Sequence, residues 1–183
     1  MSLHDTPAAY GAVSRLNHWI GAALIIVMLG IGLYFHEMPR GDELRYWMGL
    51  HVSIGALAFL PLAFRVLWRV QAASPQPLPQ KPWLQRTSQV THALLLGLIA
   101  VMIVSGPLTV WSGGRPIEVF GWLAVPSPMG RQEGLHEALE VVHGVGSRLL
   151  LLTVILHVLA AAWHALIERN RAAMARMLGA PAR

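Results

Sequence analysis

The chain has 183 residues, of which 55% are hydrophobic and 13% charged; soluble domains carry roughly 25% charged residues, so a soluble globule is excluded and an integral membrane protein is indicated. The absence of cysteine removes disulfides, iron–sulfur clusters, thiolate zinc sites and c-type haem attachment. The net charge of +5 is accounted for by basic residues gathered at membrane helix ends rather than by a nucleic-acid footprint.

Four stretches are long enough to cross a hydrocarbon core of ~30 Å, which takes about 20 residues. The first covers residues 15–35. It lacks a small-residue cleavage site and is read as a retained helix rather than a signal peptide. The second covers 46–70 and is followed by Ser74-Pro75-Gln76-Pro77-Leu78-Pro79-Gln80-Lys81-Pro82, an extended connection that cannot be helical. The third covers 88–111. A segment rich in glycine and proline follows, in which Trp111, Phe120 and Trp122 suit a membrane interface. The fourth covers 139–167. The expectation is a single transmembrane domain over residues 1–183, an all-α four-helix bundle.

Orientation follows from lysine and arginine. Arg15, Arg65, Arg69, Lys81, Arg86, Arg169, Arg171, Arg176 and Arg183 fall on one side, and Arg40, Arg45, Arg115 and Arg131 on the other. Such a bias places both termini in the cytoplasm. The outer side also collects Glu37, Asp42, Glu43, Glu118, Glu133, Glu137 and Glu140.

Histidine supplies the chemistry. His143 and His157 are fourteen residues apart in the fourth helix, which returns both imidazoles to within about 40° of one face, about 21 Å apart along the axis. That separation suits two flat cofactors, one in each leaflet. Ionisable groups in hydrocarbon are expensive and point to function. By depth, His51 in the second helix pairs with His143, and His18 in the first pairs with His157. Two bis-histidine sites follow, each able to present imidazoles to both faces of a b-type haem. Gly49, Gly55, Gly144 and Gly146 flank these positions and would permit close approach. His92 is a rival ligand at the depth of His18, and His136 a rival to His143. Arg65 is fourteen residues after His51 and is expected to meet a haem propionate, since guanidinium binds carboxylate in two-pronged fashion. Arg148 is expected either at a propionate or on Glu140. His164 lies on the face of His157 nearer the cytoplasm, as a propionate contact, a proton donor to quinone, or an interface residue. Zinc or copper permeation is the competing reading. It would want carboxylates, thiolates or thioethers grouped at one depth, and the four spans carry no mid-depth Asp or Glu.

Asn17-His18-Trp19, Leu50-His51-Val52-Ser53, Arg65-Val66-Leu67-Trp68-Arg69, Thr91-His92, Ser105-Gly106 and the series His143, His157, His164 together resemble the bacterial cytochrome b561 family over nearly the whole chain. The resemblance implies a multi-pass protein of the bacterial inner membrane. It implies two b haems on His18, His51, His143 and His157, and electron passage between the membrane faces. One member activity is superoxide:ubiquinone oxidoreduction, and by resemblance Lys81 and His164 would lie near a quinone site on the cytoplasmic side. The chain departs from the family pattern at Ala165, where a second histidine is common. It departs again where the family's aromatic-His-Glu appears as Leu135-His136-Glu137, one heptad early. The expected partners are membrane lipid, quinone, and superoxide or a periplasmic redox protein. The alternative is a haem-b relay that anchors a partner dehydrogenase or periplasmic cytochrome. Similar bundles serve the b subunits of hydrogenases and formate dehydrogenases.

Overall fold

A computed structural model describes residues 2–169 and 171–178; Arg183, counted above among the cytoplasmic cations, lies outside the described residues. Four long helices dominate: α1 (Ala12–His36), α2 (Asp42–Gln71), α3 (Pro82–Ser112) and α4 (Glu133–Leu166). Each is long and apolar enough to cross a membrane. The apolar stripe of each helix does not end at the core. Leu57, Leu60, Leu152, Leu156 and Leu159 are exposed, as lipid-facing residues must be where the solvent is hydrocarbon. The protein-facing core is small, with Ile25, Ala58, Leu62, Ile99 and Leu150 packed at mid-height.

The helices run past the hydrophobic spans at their polar ends. Pro82 opens α3, six residues before the expected start, because proline suits the first helical position. Asp42 and Glu43 open α2 and Glu133 opens α4, where carboxylates complement the helix dipole. Hydropathy marks the hydrocarbon, whereas these helices continue through the headgroup layer.

The connection between α3 and α4 contains a β-hairpin, β1 (Ile117–Val119) with β2 (Leu123–Val125), paired antiparallel with Glu118 opposite Ala124. Phe120 and Gly121 both have positive φ, as the turn that matches strand twist requires. Ile117 and Val119 are buried and β1 packs on α2. At the other end of the bundle, α5 (Arg171–Leu178) folds back. The Trp19 indole donates to the Met177 carbonyl at 3.2 Å and Arg176 to the Gln76 carbonyl at 2.8 Å. The Gln76 amide donates in turn to Pro7 O at 2.9 Å. Both ends of the described chain therefore meet at one face, here the terminal face, opposite the hairpin face.

The N-terminal segment is locked onto this face by Asp5. Its nearly buried carboxylate accepts from the Gly11 amide at 2.7 Å and the Ser14 hydroxyl at 2.8 Å. Arg69 approaches the same carboxylate at 3.6 Å, lies over the Tyr10 ring and bonds Ser74.

Packing is uneven. α1 packs on α2, α2 on α3, and α3 most extensively on α4, but α4 makes little backbone contact with α1 or α2. The candidate ligands bridge that gap.

Candidate haem-binding site

His51 projects from α2 and His143 from α4, with ring centroids 6.3 Å apart; His18 from α1 and His157 from α4 are likewise 6.3 Å apart. An imidazole nitrogen sits about 2 Å from a metal it ligates and the ring centre a little over 1 Å behind it, so two rings on opposite sides of one metal ion have centres roughly 6–6.5 Å apart. Both pairs fit that spacing, and their ring planes are rotated by 88° and 65°, which ligation along one axis allows.

The surroundings fit as well. The Ser105 hydroxyl, almost completely buried, lies 2.9 Å from His143 Nδ1. If Nδ1–H donates to Ser105, Nε2 is left as the free lone pair, the arrangement that metal-ligating histidines use. His51 Nδ1 is buried with no partner among the described residues, and Phe35 stands edge-on to the same ring at 5.4 Å. Two glycines from different helices make room beside the rings. A Cβ on Gly32 of α1 would meet His51 Cε1 at 3.5 Å, and one on Gly106 of α3 would meet His143 Cε1 at 3.4 Å. These differ from the glycines expected from sequence. Gly49 and Gly144 touch no ring, Gly55 meets Met28, and Gly146 serves α3–α4 packing against Met102 and Val101.

Arg65 makes the sharpest point of the terminal half. One guanidinium nitrogen is 3.1 Å from His18 Nδ1. Guanidinium only donates, so Nδ1 accepts and the ring proton sits on Nε2, which blocks Nε2 as a ligand. The Arg65 Nε–H is meanwhile buried without a hydrogen-bond partner among the described residues. A carboxylate beside Arg65 would satisfy Nε and draw the guanidinium off His18. The two propionates of a haem are such carboxylates, so the donor set and the buried Nε–H of Arg65 both fit the group.

The rival ligands are placed differently. His136 has both nitrogens engaged, Nδ1 with the Thr109 carbonyl at 2.9 Å and Nε2 with Glu140 at 3.3 Å. His92 is 5.5 Å from His157, closer than one metal between two rings would hold them. Arg148 reaches neither Glu140 nor the terminal half; it lies 3.1 Å from His36 Nε2, at the C-terminal end of α1. Lys81 is exposed just before α3, with no hydrogen bond to His164 among the described residues. His164 Nδ1 is 2.6 Å from Glu168. Sequence reasoning named Ser105-Gly106 only as part of the family pattern, without a role at the site, and missed Phe35, Gly32 and Glu168.

Over residues 9–180 the chain matches the family model for prokaryotic cytochrome b561. It is 30% identical to cytochrome b561 homolog 2 of Escherichia coli (strain K12), over 98% of this chain and 96% of that protein. A four-helix membrane bundle, imidazoles that meet in pairs across its loosest interface, and this match over most of the sequence agree: the chain belongs to the prokaryotic cytochrome b561 family, whose members bind b-type haem and carry electrons in membranes.

Proposed function

We propose that this protein is a dihaem cytochrome of a single transmembrane domain in the bacterial inner membrane, with both termini in the cytoplasm. It would pass electrons from an outer donor, superoxide, to ubiquinone on the inner side. The observation that carries the reading is the pair of matched imidazole couples, each 6.3 Å between ring centres, on two helix pairs that otherwise stand apart.

His51 and His143 would hold the outer haem, and His18 and His157 the inner one; bound there, the two groups supply one-electron redox chemistry in each half of the membrane. The chain's own residues supply position and charge. Ser105 orients the His143 ring. Arg65 holds a propionate at the terminal half, and Arg148, beside His36, is placed for one at the hairpin half. With two histidines given over to each haem, the sites would serve electron transfer rather than oxygen binding. Lys81 and His164 serve the quinone site.

The test is a dithionite-reduced minus oxidised visible spectrum of the detergent-purified protein, with haem stoichiometry. A b-type α-band with two haems per chain is expected, and one per chain would remove a pair. Superoxide-driven reduction of a short-chain ubiquinone by the isolated protein is the second expectation. Haem present without that activity, together with a co-purifying dehydrogenase or cytochrome, would establish a relay subunit instead. Absence of haem in a haem-sufficient host would bring back metal permeation.

A further inference from the structure

We infer that Glu168 is a positioning residue for the proton donor of the quinone site, forming with His164 a carboxylate–imidazole couple that delivers protons from the terminal face. The inference rests on the proposed quinone reading and adds to it a residue and a proton path.

The geometry comes first. Glu168 follows the last turn of α4, where the Ile167 and Glu168 amides both return to the Trp163 carbonyl and Arg169 turns the chain with a φ of 50°. This fold-back aims the two carboxylate oxygens at different donors. Oε2 is 2.6 Å from His164 Nδ1, and Oε1 accepts from the Trp163 indole at 3.3 Å. Two donors on two oxygens fix the carboxylate plane, and the carboxylate fixes the ring. The helix end makes this placement informative. A carboxylate at a helix C-terminus faces the negative end of the dipole and is disfavoured there, whereas a cation is favoured. An acid at that position, hydrogen-bonded to an imidazole one turn earlier, is placed to serve the imidazole.

The protonation states follow. The hydrogen bond from His164 holds the Glu168 carboxyl below its usual range, so it is ionised near neutrality and can only accept. Nδ1 of His164 must therefore carry its hydrogen, and the exchangeable site is Nε2. The carboxylate holds the Nδ1 edge of the ring and leaves Nε2 for exchange. A benzoquinone head needs two electrons and two protons to become the quinol. The electrons would be supplied, one at a time, by a b-type haem that His18 and His157 would hold. For each proton, the Nε2–H bond of the imidazolium breaks, a quinone O–H bond forms, and the neutral ring recovers a proton from water. His164 and Glu168 are each about one-third exposed, which gives that water access.

The test uses the haem-loaded protein in bilayers of neutral lipid with ubiquinone-1 and a superoxide source. Glu168→Gln is expected to keep full haem content and to lower kcat for quinone reduction about tenfold or more, with KM little changed; Glu168→Asp restores part of the rate. A readout independent of turnover is 15N NMR of the His164 ring, identified by its loss in His164→Gln. The parent is expected to show a single Nδ1–H tautomer, and Glu168→Gln a mixture. An unchanged kcat or tautomer in Glu168→Gln, while the parent reduces quinone, would overturn this inference and leave the quinone reading standing. A parent that never reduces quinone overturns both.

Discussion

The two halves of the bundle solve the same problem in different ways. At the hairpin face, His51 and His143 are held by uncharged neighbours: the buried Ser105 hydroxyl, the edge of Phe35, and the room left by Gly32 and Gly106. Above them the hairpin is pinned to α2 by Ser53, whose hydroxyl donates to Glu118 O and accepts from the Phe120 amide, both at 3.0 Å. At the terminal face, His18 and His157 share their space with a third imidazole, His92, and with a guanidinium. One half surrounds its imidazoles with uncharged groups. The other places a guanidinium among them. Rigidity of the first kind favours defined ligand geometry, whereas a charge of the second kind requires a counter-charge because burying it alone is costly.

Four experiments would break or sharpen this contrast. The largest effect is expected from the ligands. His143→Ala or His51→Ala should empty the hairpin half, and His18→Ala or His157→Ala the terminal half, each leaving one haem per chain, while His92→Ala should keep both. Haem-to-protein stoichiometry measures this, and retention of both haems in any of the first four variants would remove that ligand. Next is Gly21→Ala in α1. Its new Cβ would lie 2.7 Å from Arg65 Cδ, so Arg65 must move. Overpacking of this kind costs about 1–3 kcal/mol, and haem titration should show weaker binding in the terminal half only. Third, Ser105→Ala should weaken the hairpin half by about tenfold, the lower end of what losing a ligand's hydrogen-bond partner costs; an equal effect on both halves would count against the division drawn here.

The smallest effect concerns pH. Glu168 has its carboxyl held below the ordinary range, chiefly by the His164 hydrogen bond. Its contribution to holding the end of α4 is therefore fully present above the ordinary carboxylate pKa and is lost as pH falls through the depressed one. Hydrogen exchange at the Ile167 and Glu168 amides should quicken over that acid window and no higher. Glu168→Gln should be insensitive to it.

How much of this was legible in the sequence depends on which force wrote each part. Hydrocarbon imposes long apolar helices and makes every interior histidine conspicuous, so the four spans and the depths of His18, His51, His143 and His157 could be read directly. Position around a helix is harder. Arg65 was read from its spacing to His51, yet its contact is His18 on another helix, because Gly21 lets its side chain cross against α1. The hairpin left little trace because three-residue strands give almost no period to detect, and its register depends on Ser53, sixty-five residues before Glu118. The glycines were misjudged for the same reason. Flanking a histidine in sequence does not place a residue beside its ring, and the two that do so come from neighbouring helices. Glu168 carried no pattern of its own, and its meaning comes from the turn that ends α4.

The loose contact between α4 and the α1–α2 pair has a consequence for how the protein is made. Two helical hairpins, α1–α2 and α3–α4, can each enter the membrane on its own, joined afterwards by a proline-rich strap and modest α2–α3 packing. Haem ligation from both sides would then be the rivet between them. Without it the two helical hairpins would be held together less firmly, and a loosely joined chain is the kind that quality-control proteolysis removes. The level of this protein in the cell should therefore track haem supply rather than transcript, and pulse-chase labelling in a haem-auxotrophic host, with and without added precursor, would measure that coupling as a change in half-life.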